Sequence, residues 1–189
     1  MANVNAPSGF RPYRHIAGGD VRVNEYSIAS GYNTTIYDGD VVEMTGTGKN
    51  IAKAASANAD NIGVFHGCRY VNAQGEQKFS KHWPADTVAT EIVALVYDDP
   101  NIIYEVQCDT LAEGDIGQLV DLNVGTGNDS TGRSGEYLPV SGGTAATGRA
   151  FRLIELKPSP DNAYGAYAKA LVSFAEHVLK GVVSGVGGN

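Results

Sequence analysis

Along most of this chain, short apolar runs alternate with polar residues and break off at turns rich in Gly, Pro, Asn and Asp. That is the period of half-buried β-strands. Val21–Ile28 (VRVNEYSI) alternates as a strand, and Val41–Thr45 (VVEMT) follows the turn Asp38-Gly39-Asp40. Ile62–Val71 reads as a strand with Gly63 and Gly67 marking bulges. Thr87–Tyr97 is apolar on both alternating faces, as in a strand buried on both sides. Asp98-Asp99-Pro100-Asn101 is a turn by composition, and Ile102–Gln107 then places Ile102, Tyr104 and Val106 on one face. The two runs read as a hairpin across that turn. Gly117–Val124 and Phe151–Leu156 add further strands, separated by a polar, Gly-rich stretch from Gly125 to Gly135 that reads as an exposed loop. Residues Ser56–Asn61 read as loop.

The two ends differ. Residues Asn5–Asp20 (NAPSGFRPYRHIAGGD) carry Pro7 and Pro12 among aromatic and basic side chains. Prolines at this spacing resist helix and central strand, so residues 1–20 are expected to form an extended arm. Its aromatics and arginines gain from being covered, either by the chain's own domain or by a partner. In 163–183, Leu171, Phe174, Val178 and Val182 fit a helix, but 171–177 also alternates as a strand, and periodicity leaves both open. Residues 181–189 read as a flexible Gly-rich tail. The fold class expected is all-β, a single antiparallel β-barrel or β-sandwich over residues 21–180.

Composition agrees. Gly and Pro make up 31 of 189 residues, and the glycines follow no period of three, which excludes collagen. The longest apolar run, Ile92–Tyr97, is far too short for a membrane-spanning helix. Fourteen basic residues against 21 acidic ones, with no basic block, argue against a nucleic-acid partner, and no membrane partner is expected. There is no basic stretch followed by an apolar one at the start, so no secretory signal is expected. Cys68 and Cys108 then read as reduced thiols.

Chemical motifs are sparse. His66 and Cys68 stand at i, i+2 and could share a face, but without further ligands at paired spacing they read as strand residues, with no metal expected. Asp98 and Asp99 are better explained by their turn than by acid–base catalysis. Asp121, Asn123, Asn128 and Asp129 lack EF-hand spacing. Gly46-Thr47-Gly48-Lys49 fails as a phosphate loop, because Glu43 and Asn50 stand where a Gly and a Ser/Thr are needed. The expectation is a non-enzyme without cofactors. An echo links Tyr37–Gly48 to Ala112–Gly127: each has Gly-Asp, a short apolar run and Gly-Thr-Gly. It reads as one turn–strand–turn solution used twice.

Four stretches carry a resemblance: the opening ANVNAPSGFRPYRHIAGG, the middle ALVYDDPNIIYEVQCD, EGDIGQLVDL, and ALVSFAEHVL near the end. Together they resemble head decoration, or cement, proteins of tailed bacteriophages, with departures in the loops Gln74–Trp83 and Gly125–Gly143. The resemblance implies a β-barrel or sandwich on the outer surface of the virion's icosahedral shell, reinforcing capsomer junctions. It favours a strand for the C-terminal segment. It implies the major capsid protein and further copies of this chain as partners, a homotrimer ahead of a homodimer. On that basis the arm would dock on the capsid, Pro7, Phe10, Pro12 and Tyr13 by apolar contact and Arg11 and Arg14 by pairing with shell carboxylates. The alternative is a phage tail or baseplate component, or an adsorption protein binding host glycans, which an exposed aromatic shelf of Tyr70, Trp83 and Tyr137 would favour. An enzyme would need a pocket gathering His66, Cys68 and an acid.

Overall fold

The computed structural model describes residues 3–55, 60–145 and 147–180. The tail 181–189, and residues 56–59 of the loop expected at Ser56–Asn61, lie outside the described residues. Among those described, thirteen strands and two short 3-10 turns follow one another, with no α-helix. The strands are β1 Arg11–His15, β2 Asn24–Tyr26, β3 Ile36–Tyr37, β4 Val41–Met44, β5 Ile51–Lys53, β6 Asn61–Asn72, β7 Gln77–Ser80, β8 His82–Trp83, β9 Ala89–Tyr97, β10 Ile102–Gln107, β11 Leu119–Val120, β12 Phe151–Leu156 and β13 Lys169–Phe174.

Two antiparallel sheets pack as a β-sandwich rather than a closed barrel. One sheet has the order β1-β10-β13-β12-β11, and the other β2-β9-β6-β4-β5 with β7 on the edge of β6. β3 and β8 form a separate two-stranded ribbon. The core between the sheets is built from alternate residues of the first: Ile102, Tyr104 and Val106 of β10, Phe151 and Leu153 of β12, Ala170, Val172 and Phe174 of β13. Val41 and Val64 meet them from the second sheet. The other face of the second sheet holds its own core, where Val42, Ile62, Phe65, Ala94 and Val96 are roofed by Ile28, Ile36 and Trp83. One chain thus buries two apolar layers with very few charged side chains.

Three expectations are corrected. β9 and β10 are not a hairpin: β9 pairs with β2 and β6, and β10 with β1 and β13. The Asp-Asp-Pro-Asn turn is the corner where the chain leaves one sheet for the other. It is pinned there because buried Asp98 accepts hydrogen bonds from Asn24 Nδ2 (2.8 and 3.0 Å) and Tyr26 OH (2.8 Å). Second, β9 is buried on one face at Ala94 and Val96 and only half-buried at Ile92, Val93, Leu95 and Tyr97. Third, the loops Gln74–Trp83 and Gly125–Gly135 are less open than their polarity suggests: the first contains β7 and β8, and in the second Gly132, Ser134 and Gly135 are buried. The alternating runs at 21–28 and 117–124 shorten to β2 and β11. The C-terminal segment is a strand, paired on both sides by β10 and β12.

β6 is irregular where its glycines stand. Its register slips at Ile62 against β4 and at His66 against β9. Gly63 is there because a Cβ would sit 2.1 Å from the Tyr97 carbonyl oxygen. The sequence echo also has a structural basis. In both copies the Asp carboxylate turns back on the residue three before it: Asp40 Oδ2 accepts the Tyr37 N–H, and Asp115 Oδ2 the Ala112 N–H, each at 2.8 Å.

Candidate functional site

The arm is part of the domain. Asn3 donates from Nδ2 to the carbonyls of Ala163 (2.8 Å) and Ala166 (2.9 Å), and Gln107 holds Ala6 N and Asn5 Oδ1. Phe10 is fully buried, stacked on Phe151 at 4.5 Å and edge-on to Tyr104. It is therefore a core residue, and the expectation that it offers apolar contact to a partner is corrected: covering it inside the domain removes more apolar surface from water than a surface contact could. β1 then runs along the edge of the first sheet, where Pro12 is tolerated because an edge strand can spare an N–H. Pro7 is half-buried beside the arm's anchor, and Pro12 is half-buried in the strand. Arg11, Tyr13 and Arg14 are exposed, and Tyr13 occupies the bulge in the register with β10. Arg14 reaches Glu155 at 3.3 Å, both ends half in water.

Where β1 begins, the arm meets the second sheet. Phe10 N donates to Gly39 O at 2.9 Å, and Gly39 N to Phe65 O at 2.9 Å. Gly9 has φ +70, and a Cβ on it would meet Gly39 O and the Ser134 side chain at 2.5 Å, so only glycine lets the three segments close. The 125–135 loop is stitched in by Asp38 N to Gly132 O (2.9 Å) and Ser134 N to Asp38 O (3.0 Å). This junction leaves a cleft of about 250 Å³. Arg11, Lys81 and Arg133 line it, with Asp38, His66 and Tyr97. His66 owes its position to the β6 bulge: its Nδ1 lies 3.1 Å from Asp38 Oδ1, and its ring is 4.8 Å from that of Tyr97.

Beside the cleft floor lies a buried charge cluster. Lys53 Nζ is 2.8 Å from Asp40 Oδ2 and 3.7 Å from Glu136 Oε1, and both carboxylates are fully buried. Val41 N donates to Glu136 Oε2 at 2.9 Å. Burial, helped by the neighbouring Asp40 charge, holds the Glu136 carboxyl well above its ordinary value despite the opposing pull of Lys53. Two acids and one cation thus share one apolar site.

The remaining candidates do not converge. His66 is exposed and Cys68 buried, because the bulge sends them apart, and burial pushes the Cys68 thiol up to about 12. Cys108 lies in the core between the sheets, while Cys68 lies in the other core, and both are free thiols. No cluster of three potential metal ligands occurs among the described residues. Asp99 accepts from Asn101 N (2.8 Å) and faces His15 Nε2 (3.1 Å), which is turn chemistry. Asp121 pairs with Arg149 at 2.9 Å, and Asp129 accepts from Tyr37 OH at 2.6 Å. Trp83 is fully buried with Tyr70 packed edge-on at 5.2 Å, so with Tyr137 they do not form an exposed shelf. Sequence reasoning did not single out Asp38, Asp40, Lys53, Lys81, Arg133 or Glu136 as site residues, because the fold brings them together from segments that no spacing links.

No family model, no curated protein and no solved structure matches this chain.

Proposed function

We propose that the protein is a head decoration protein of a tailed bacteriophage, a homo-oligomer that binds the outer face of the capsid and ties capsomers together at their junctions. The observation that carries this reading is the outward row of β1. Arg11, Tyr13 and Arg14 on the strand, and Ile16 just past its end, are exposed, and the strand is locked to the domain from both ends, by Phe10 in the core and by Ile16 N donating to Asn101 O at 2.9 Å. A contact surface on a rigid edge loses little conformational entropy on docking. The Arg14–Glu155 pair is half in water and worth about 0–1 kcal/mol, so Arg14 can exchange it for a shell carboxylate at little cost. The four resembling stretches of sequence support the same reading, and repetition within an oligomer raises avidity.

The test adds purified protein to undecorated particles and locates it by electron microscopy. The expected result is density outside the shell at capsomer junctions. Tyr13→Ser with Ile16→Ser should lower occupancy several-fold at an unchanged melting temperature. Density in the tail, or full occupancy by that double variant, would sink the proposal. Deleting residues 1–15 is not a usable test, because it also removes Phe10 from the core.

A further inference from the structure

The cleft at the foot of β1 collects charge of one sign in a chain of the other. The chain carries a formal net charge of −7. Yet three cations from distant segments, Arg11, Lys81 and Arg133, line this one concavity against a single carboxylate, Asp38. Most of the chain's other cations are spent on its own acids, as in Arg14–Glu155, Arg69–Glu25, Lys78–Glu76, Arg149–Asp121, and Lys157 and Lys169 on Glu105. No ion pair within the chain is formed by Arg11, Lys81 or Arg133 among the described residues. Asp38, the acid in the lining, faces His66 and is bonded through its backbone to the 132–134 segment. Three cations around one carboxylate leave the cleft with an excess of positive charge, which a docked anion would balance.

We propose that this cleft is the seat for a carboxylate-bearing segment of the partner protein, with Arg11, Lys81 and Arg133 closing around acidic side chains. This rests on the decoration reading and gives it a docking point where the arm meets the second sheet. Size favours a side-chain guest: at about 250 Å³ the cleft is below the usual range for a drug-sized ligand and accommodates one or two carboxylate side chains. Arginine forks match carboxylates in two-point contact, and Lys81 adds a point charge. The walls are preorganised, since Gly9 fixes the arm against Ser134 and the β6 bulge sets His66 on Asp38 and Tyr97. The seat therefore exists before the guest arrives.

The experiment titrates the full chain with hexaglutamate peptide at low salt, following backbone amide shifts. The expected result is saturable binding with shifts confined to residues around 8–12, 38–39, 66, 81 and 133, weakening as salt is raised. The triple variant Arg11→Gln, Lys81→Gln, Arg133→Gln should fold as the parent does, since all three side chains are exposed, and should lose at least tenfold in affinity. Binding elsewhere, no saturable binding, or equal affinity in the triple variant would overturn the site. Inorganic phosphate binding more tightly than the peptide would overturn the assignment of the guest, leaving a small-anion site. Capsid binding separates the two proposals. Particles that take up the parent and the triple variant equally would refute this seat and keep the decoration reading. Peptide binding by a chain that ignores capsids would refute decoration and keep the seat.

Discussion

Glu136 and His177 are both buried, and their titrations tilt stability in opposite directions. The folded chain binds the Glu136 proton more tightly than the unfolded chain does, so stability falls as pH rises above the ordinary value of 4.5. His177 behaves inversely. Its ring packs edge-on to Phe174, its Nδ1 accepts the Leu179 N–H at 3.1 Å, and burial lowers its pKa from 6.5 to about 4. Its contribution is full above 6.5 and lost as pH falls towards 4, a loss of about 3 kcal/mol. Between 4.5 and 6.5 the two slopes oppose each other, and the Glu136 decline continues towards its raised folded value. Glu136→Gln should keep the bond from Val41 N and remove the decline, so that urea midpoints rise from pH 4 to 6.5 and then hold. Parallel curves for parent and variant would show that Glu136 is ionised in the folded chain. Lys53→Met should cost about 3–5 kcal/mol at neutral pH, because it strands Asp40 without its cation.

At the scale of elements, β1 is held by Phe10 more than by its own side chains. Phe10→Ala should cost about 3–5 kcal/mol by emptying the stack against Phe151, measured as a shift in the urea midpoint at unchanged slope. Gly63→Ala should cost at least about 2 kcal/mol, since its methyl would collide with the Tyr97 carbonyl at the end of β9. An outcome within 0.5 kcal/mol of the parent would mean that the two strands part without penalty. Strands with five or more alternating residues, such as β6, β9, β10 and β12, were legible in the sequence, and so were the glycines beside the bulges. β3 and β8 have two residues each, β5 three and β7 four, too few to show a period. β1 was hidden by Pro12, which marked the segment as extended but not as paired.

At the scale of the whole molecule, the sequence could name the turn at Asp98–Asn101 but not its job. Turn chemistry reports that the backbone reverses; which strands then pair depends on where β1 and β13 arrive, and no local signal carries that. The same holds for the cleft and the Asp40–Lys53–Glu136 cluster, assembled from segments that share neither period nor motif. Asp98→Ala should loosen this corner, leaving Asn24 and Tyr26 without their acceptor, at about 1–3 kcal/mol. Hydrogen exchange would register it first along β2 and the start of β10.

The pairing of Arg11 with Glu105 also carries a consequence in time. About 90 residues separate the two, and at roughly 5–20 residues per second a ribosome needs about 5–20 s to supply β10 once β1 has been made. The second sheet, whose strands all lie between β2 and β9, can assemble during that wait. Phe10 has no stack and β1 no neighbour until the chain has turned the corner and β10 and β12 exist. The residues that end as the rigid edge of the sandwich are thus made before the other strands of both sheets and are the last to find shelter.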